Sequence, residues 1–155
     1  LPLSVVLTSN EIYAKFYCDY NEHKAFLHSH SYTGNALACA AANATLDIFE
    51  HDNVIENNKK LADYMGKKLQ KFLELPNVDA VRQTGMVCAV DLKNYDSKLR
   101  MGLKVYKYGL KHGVLLRPLG NVIYFMPPYI ITNEEIDIMM DTAFDAIMEL
   151  PISLK

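Results

Sequence analysis

From residue 53 onward the apolar side chains switch several times between the helical and the strand period, and few folds accommodate that order. Val54, Asn58, Leu61, Met65, Leu69 and Phe72 recur at spacings of three and four, the stripe of an amphipathic helix. Asn53 with Glu56 is placed to cap its start, and Pro76 follows its end. Residues 78–82 and 86–92 read as two strands around Gln83-Thr84-Gly85, a hairpin with glycine in its turn. Leu99, Leu103, Tyr106 and Leu110 mark the next helix, which Lys111-His112-Gly113 closes with cations and then glycine. Residues 114–117 and 122–126 read as two further strands, with Pro118-Leu119-Gly120 as their turn. Thr132 and Glu135 form a capping box for a last helix carrying Ile136, Met140, Ala143 and Ile147. Helix, strand, strand, helix, strand, strand, helix predicts an antiparallel sheet with helices on one face, an α+β unit.

Residues 1–34 do not fit that plan. Residues 4–8 form a β-branched run that reads as a buried strand, and Thr8 with Glu11 predicts a short helix over 11–16. No period survives from Tyr17 to Ser31, and so long a structureless stretch in a compact domain points to function. A helix then begins near Gly34-Asn35, with Asn35 able to cap it. Six of the nine residues from Ala36 to Ala44 are alanine, so other elements can approach this helix closely. It is expected to be buried or to bridge two bodies.

Composition narrows the function classes. Sixteen Lys and Arg against eighteen Asp and Glu leave a formal charge of −2, unlike the basic footprint of a nucleic-acid binder. No apolar stretch approaches the roughly 20 residues that span a bilayer. Cys18, Cys39 and Cys88 are odd in number and contain no paired motif, which argues for reduced thiols and against a zinc site or a disulfide framework. The abrupt start at Leu1, without an initiator Met, suggests a fragment or a processed chain.

Three segments could carry chemistry. His28-Ser29-His30-Ser31-Tyr32-Thr33-Gly34-Asn35 leads into a helix, where hydroxyls and free amides favour an anion. The bland alternative is that Ser31, Thr33 and Asn35 only cap that helix. His28 and His30 lack a third ligand at a supporting spacing, so a metal is not expected. Arg117 ends an apolar run before a turn; it either snorkels to solvent or presents a planar fork to a carboxylate. In Asn121-Val122-Ile123-Tyr124-Phe125-Met126-Pro127-Pro128-Tyr129 most residues read as strand core, with Tyr124 or Tyr129 able to turn a hydroxyl to a pocket.

Taken in order, the stretch His28 to Ala40, then Arg82-Gln83-Thr84-Gly85, then Gly113-Val114-Leu115-Leu116-Arg117-Pro118-Leu119-Gly120 with Ile123 to Thr132, resembles the C-terminal part of class III (fold type I) pyridoxal-phosphate aminotransferases. The Arg-Pro-x-Gly run followed by Ile-Tyr-x-Met-Pro-Pro-Tyr is more particular to the biotin-pathway branch of that family. The resemblance implies an α/β fold type I architecture, in which residues 1–34 end the large cofactor domain, 35–52 form a connecting helix and 53–155 form the α+β small domain. It further implies pyridoxal phosphate as cofactor and transamination of 7-keto-8-aminopelargonate to 7,8-diaminopelargonate with S-adenosylmethionine as amino donor. By the same resemblance the enzyme is a cytoplasmic homodimer with a cofactor site shared across its interface.

His30 and Ser31 match positions that reach the cofactor phosphate of the neighbouring subunit, with Ser31 where threonine is usual. Ser29 matches a substrate-contacting position that is often glycine, and Ala36 stands where proline is common. Arg117 matches the residue that binds the substrate carboxylate, and Tyr124 a tyrosine near it. The family's Schiff-base lysine, and the aspartate that pairs with the pyridine nitrogen, are expected upstream of Leu1, which would leave this chain catalytically incomplete. Three rival readings remain: another class III ω-aminotransferase of the ornithine or 4-aminobutyrate type, a non-catalytic binding module that uses the small-domain fold from residue 53 on, and a truncated piece whose missing half another chain supplies.

Overall fold

Side-chain caps open three of the five α-helices among the described residues, because the first amides of a helix have no partner within it. The computed structural model describes residues 1–28, 30–93 and 95–152, and the chain divides into two units, Leu1–Asp52 and Asn53–Lys155.

In the first unit, helix α1 (Asn10–Phe16) starts on Ser9, whose hydroxyl accepts from the Ile12 N–H at 3.4 Å. The cap is therefore one residue later than the expected Thr8. Residues 4–8 form no strand: they are exposed, and no strand lies among the described residues of this unit to share a ladder with them. A β-branched run encodes only a willingness to be extended; the strand itself needs a neighbour. A 3-10 turn at Tyr20–Glu22 precedes helix α2 (Ala36–His51). Among the described residues of this unit only Ala38 is buried.

The second unit opens with helix α3 (Val54–Gln70), which runs into a 3-10 turn, Lys71–Glu74. The expected Asn53–Glu56 cap is not made: Asn53 adopts φ 50° with no side-chain cap bond, and Glu56 instead pairs with Lys59 at 2.6 Å. Strands β1 (Val78–Thr84) and β2 (Val87–Leu92) meet at Gly85, whose φ of 54° needs no Cβ. Helix α4 (Met101–Lys111), strands β3 (Arg117–Leu119) and β4 (Val122–Phe125), and helix α5 (Asn133–Met148) follow. The sheet is antiparallel, in the order β1-β2-β4-β3. The α+β plan read from the sequence is the observed one.

Two local expectations fail for instructive reasons. The third strand begins at Arg117 rather than Val114, because the turn is Gly120-Asn121, with Gly120 at φ 61° and Leu119 paired to Val122. This puts Pro118 inside an edge strand, where its missing N–H leaves no ladder bond unmade. The buried face of α4 is Met101, Gly102, Val105 and Gly109, not the Leu99, Leu103, Tyr106, Leu110 stripe. Glycine is invisible to a hydrophobic count, yet here it marks the side where another backbone comes close.

Alternation sorts the sheet into two faces. Cys88 and Val90 of β2 and Ile123 and Phe125 of β4 point into the core against Met65, Leu69, Met140 and Ile147. Ala89, Asp91 and Tyr124 belong to the opposite face. The expected Thr132–Glu135 capping box is present in both directions, at 3.2 and 2.9 Å. At the other end of α5, buried Asn77 donates through Nδ2 to the carbonyls of Ile147 and Leu150, both at 3.0 Å. Helices α3 and α5 are tied by Asp137, which receives Lys68 Nζ and Tyr64 Oη, each at 2.7 Å. The Lys68 contact first, then the Tyr64 hydroxyl, holds the Asp137 carboxyl below the usual carboxylate range.

Candidate functional site

Arg117 owes its position to edge strand β3, where it pairs directly with Tyr124 of β4. Cross-strand partners share a face, so the guanidinium comes to lie 5.5 Å from the centroid of the Tyr124 ring, a cation–π distance. Among the described residues no carboxylate pairs with Arg117. Arg82, on β1 of the same sheet, is the contrast. Its fork is closed on Asp91 by two bonds of 2.7 Å, which raises the Arg82 pKa and lowers that of Asp91. One arginine is consumed by the fold, and the other presents five donors to whatever arrives.

What lies beside Arg117 is apolar. A groove of about 450 Å³ runs from Arg117 and Tyr124 along Leu116, Met126, Pro127 and Ile131 to Ile138 and Met139 of α5. Glu135 also lines it, but one of its carboxylate oxygens already accepts the Thr132 N–H. A second recess, with Tyr106, Pro118 and Leu119, is also lined by Arg117 and Tyr124. A cationic fork at the mouth of an apolar groove suits an anionic head on an aliphatic chain. The sequence singled out Arg117 and Tyr124 but missed Ile138 and Met139. Their signal was present: they are apolar side chains of α5 that fall off its buried stripe.

The entrance to α2 resolves differently from expectation. Asn35 alone caps the helix, its Oδ1 accepting from the Leu37 N–H at 3.0 Å and the Ala38 N–H at 3.2 Å. Those amides are therefore spent, and helix-terminus anion binding through them is lost. Ser31 is exposed in the turn that precedes the cap, where Thr33 N–H meets the His30 carbonyl and Asn35 N–H meets that of Tyr32. Among the described residues no hydrogen bond occupies the Ser31 hydroxyl. The His30 ring packs edge-on to His28 with centroids 4.5 Å apart. Ser29 lies outside the described residues.

A sequence profile of the family described as "Aminotransferase class-III" matches residues 1–147. The chain belongs to the class III aminotransferases. It is 59% identical over 140 residues to the adenosylmethionine-8-amino-7-oxononanoate aminotransferase of Helicobacter pylori, an alignment covering 88% of this chain and 32% of the relative. The crystal structure of the enzyme of that name from Methanocaldococcus jannaschii superposes with a TM-score of 0.87 at 40% identity, over 92% of this chain and 34% of the other. An amine transaminase from an uncultivated Pseudomonas species, solved in its PLP-bound form, superposes with a TM-score of 0.73 at 31% identity, over 79% and 29%. The chain thus spans about a third of the length of these relatives.

Within this aminotransferase chain the predicted site residues fall into two groups. Arg117 and Tyr124 are brought together by the second unit's sheet. His30 and Ser31 are neighbours in the first unit, before the α2 cap. Among the described residues no group of three or more His, Cys, Asp or Glu side chains could hold a metal ion, and no helix is long and apolar enough to cross a membrane.

Proposed function

We propose that this chain is the C-terminal part of a pyridoxal-phosphate aminotransferase that transfers an amino group from S-adenosylmethionine to 7-keto-8-aminopelargonate, giving 7,8-diaminopelargonate for biotin. One observation carries the reading: an arginine without an acidic partner among the described residues, at the mouth of an apolar groove, in a chain 59% identical to a relative named for that reaction. Arg117 takes the carboxylate of the keto acid in two parallel hydrogen bonds, and the Tyr124 ring limits where the fork can swing. The apolar wall of Leu116, Met126 and Ile131 accepts the polymethylene chain. Ser29, which lies outside the described residues, is assigned to substrate contact by the family resemblance alone.

The donor chemistry of the α2 entrance fits pyridoxal phosphate. A phosphate oxygen needs a donor that nothing else has claimed, and among the described residues the Ser31 hydroxyl is such a donor, with His30 next to it in the sequence. When bound, the cofactor supplies the carbonyl that accepts and releases the amino group. His30 and Ser31 would hold the phosphate of a cofactor belonging to the second copy in a cytoplasmic homodimer, and the lysine that anchors it covalently belongs to the rest of the polypeptide. In this arrangement residues 1–34 close the large domain, 35–52 connect, and 53–155 are the small domain; the division between Asp52 and Asn53 supports that layout.

The rival class III reading is separated by amino donor. The complete enzyme is expected to use S-adenosylmethionine and to be inactive with ornithine or 4-aminobutyrate; the reverse pattern would reject the assignment. A binding module confined to residues 53–155 is disfavoured because the family match begins at residue 1.

A further inference from the structure

We propose that Gly102 and Gly109 of α4 are positioning residues for Arg117: they let the helix backbone lie directly against residues 114–120 and so fix where the guanidinium stands at the groove mouth. The inference rests on the reading of Arg117 as a carboxylate clamp. Glycine is a poor helix former, and two within the eleven residues of α4 need a packing reason. The structure supplies one at each. A Cβ on Gly102 would stand 2.6 Å from Pro118 Cβ, with the Gly120 carbonyl oxygen also in its way. A Cβ on Gly109 would meet the Val114 carbonyl oxygen at 2.7 Å and the Leu116 side chain at 3.0 Å.

These contacts bracket Arg117. Val114 and Leu116 precede it, Pro118 and Gly120 follow it, and the two glycines are seven residues apart, roughly 10 Å along the helix axis. The helix therefore braces the arginine's strand at two points, before and after the functional residue. Backbone oxygens are among the obstacles at both points, so a changed side-chain rotamer would not relieve the crowding. A methyl group at either glycine obliges helix and strand to move apart. The fork rests against the Tyr124 ring, 5.5 Å away, no carboxylate among the described residues pairs with it, and it would travel with the strand.

The test uses the complete polypeptide that contains this chain, loaded with cofactor. Calorimetry gives the dissociation constants of the keto acid and of its uncharged methyl ester for the wild type, Arg117→Ala, Gly102→Ala and Gly109→Ala. Arg117→Ala is expected to abolish the preference for the acid. Either glycine variant is expected to cut that preference about 10-fold or more, in line with the roughly 100-fold cost of a 1 Å misplacement, and to leave ester binding within about 2-fold. A purely structural role would weaken acid and ester alike. Folded glycine variants that keep the full preference, beside an Arg117→Ala that loses it, would overturn the inference and leave the clamp standing. A preference retained in Arg117→Ala would instead reject the clamp. Failure of both glycine variants to fold would show the contact to be indispensable to the core, and would reject a separate positioning role.

Discussion

Helix α2 of the first unit and helix α5 of the second have the same length, sixteen residues, and both begin on a well-formed side-chain cap. Their apolar residues meet opposite fates. On α5, Ile136, Met140, Ala143 and Ile147 are buried against a sheet. On α2, Leu37, Leu46 and Ile48 are exposed, and only Ala38 is buried. Local signals suffice to make a helix, but burial requires a facing element, and the first unit's described residues include no sheet. That is why one unit can be explained by its own core, while the other is explained by its turn and cap chemistry.

Truncation should separate the two units most sharply. Phe72, 1% exposed, packs on Phe144 and Phe125 with ring centroids 5.6 and 6.1 Å apart. Phe72→Ala is expected to cost about 3–5 kcal/mol in a denaturant titration of the second unit's unfolding. A loss under about 1 kcal/mol would mean the core is not assembled as described.

The thiols offer a second contrast. Burial pushes the Cys88 thiol up to about 11, whereas Cys39 is exposed. A pKa raised in the folded state leaves stability intact below the unfolded thiol's value and removes it as pH climbs through the folded one. Stability should therefore fall by about 2–3 kcal/mol between roughly pH 9 and pH 11. Cys88→Ala should flatten that limb, and unchanged slopes would place the thiol in contact with water.

Ser31→Ala tests the first unit's proposed role. In the complete enzyme it should weaken cofactor retention by about 1.5–3 kcal/mol, read by competition against free pyridoxal phosphate. Unaltered retention would make Ser31 a turn residue and nothing more. The smallest effect is expected from Leu46→Ala, on the exposed side of α2: about 0.5 kcal/mol or less in the 155-residue chain. A loss of several kcal/mol there would erase the contrast between the units.

Much of the second unit was legible because its signals are local or strictly periodic. The Thr132–Glu135 box and the α5 stripe stand where the sequence put them. Legibility stopped where a residue's role depends on what lies opposite. Residues 4–8 read as a strand but form none, with no strand among the described residues of their unit, and α4 turns its glycines inward against a neighbouring backbone. The third strand moved by three residues because Gly120, not Pro118, governs its turn. At the site, Arg117 and Tyr124 stood out by position and resemblance, but their pairing across β3 and β4 depended on that shifted register. The wall from α5 was legible only as apolar residues off the buried stripe, because sequence spacing does not show which of them a distant strand will face.

Substrate recognition in this chain rests above all on Arg117. In the complete enzyme, single-turnover kinetics of the two half-reactions should show Arg117→Ala slowing the keto-acid half by about 2–5 kcal/mol while the cofactor stays bound. Wild-type rates with the keto acid would contradict the carboxylate clamp and the function built on it.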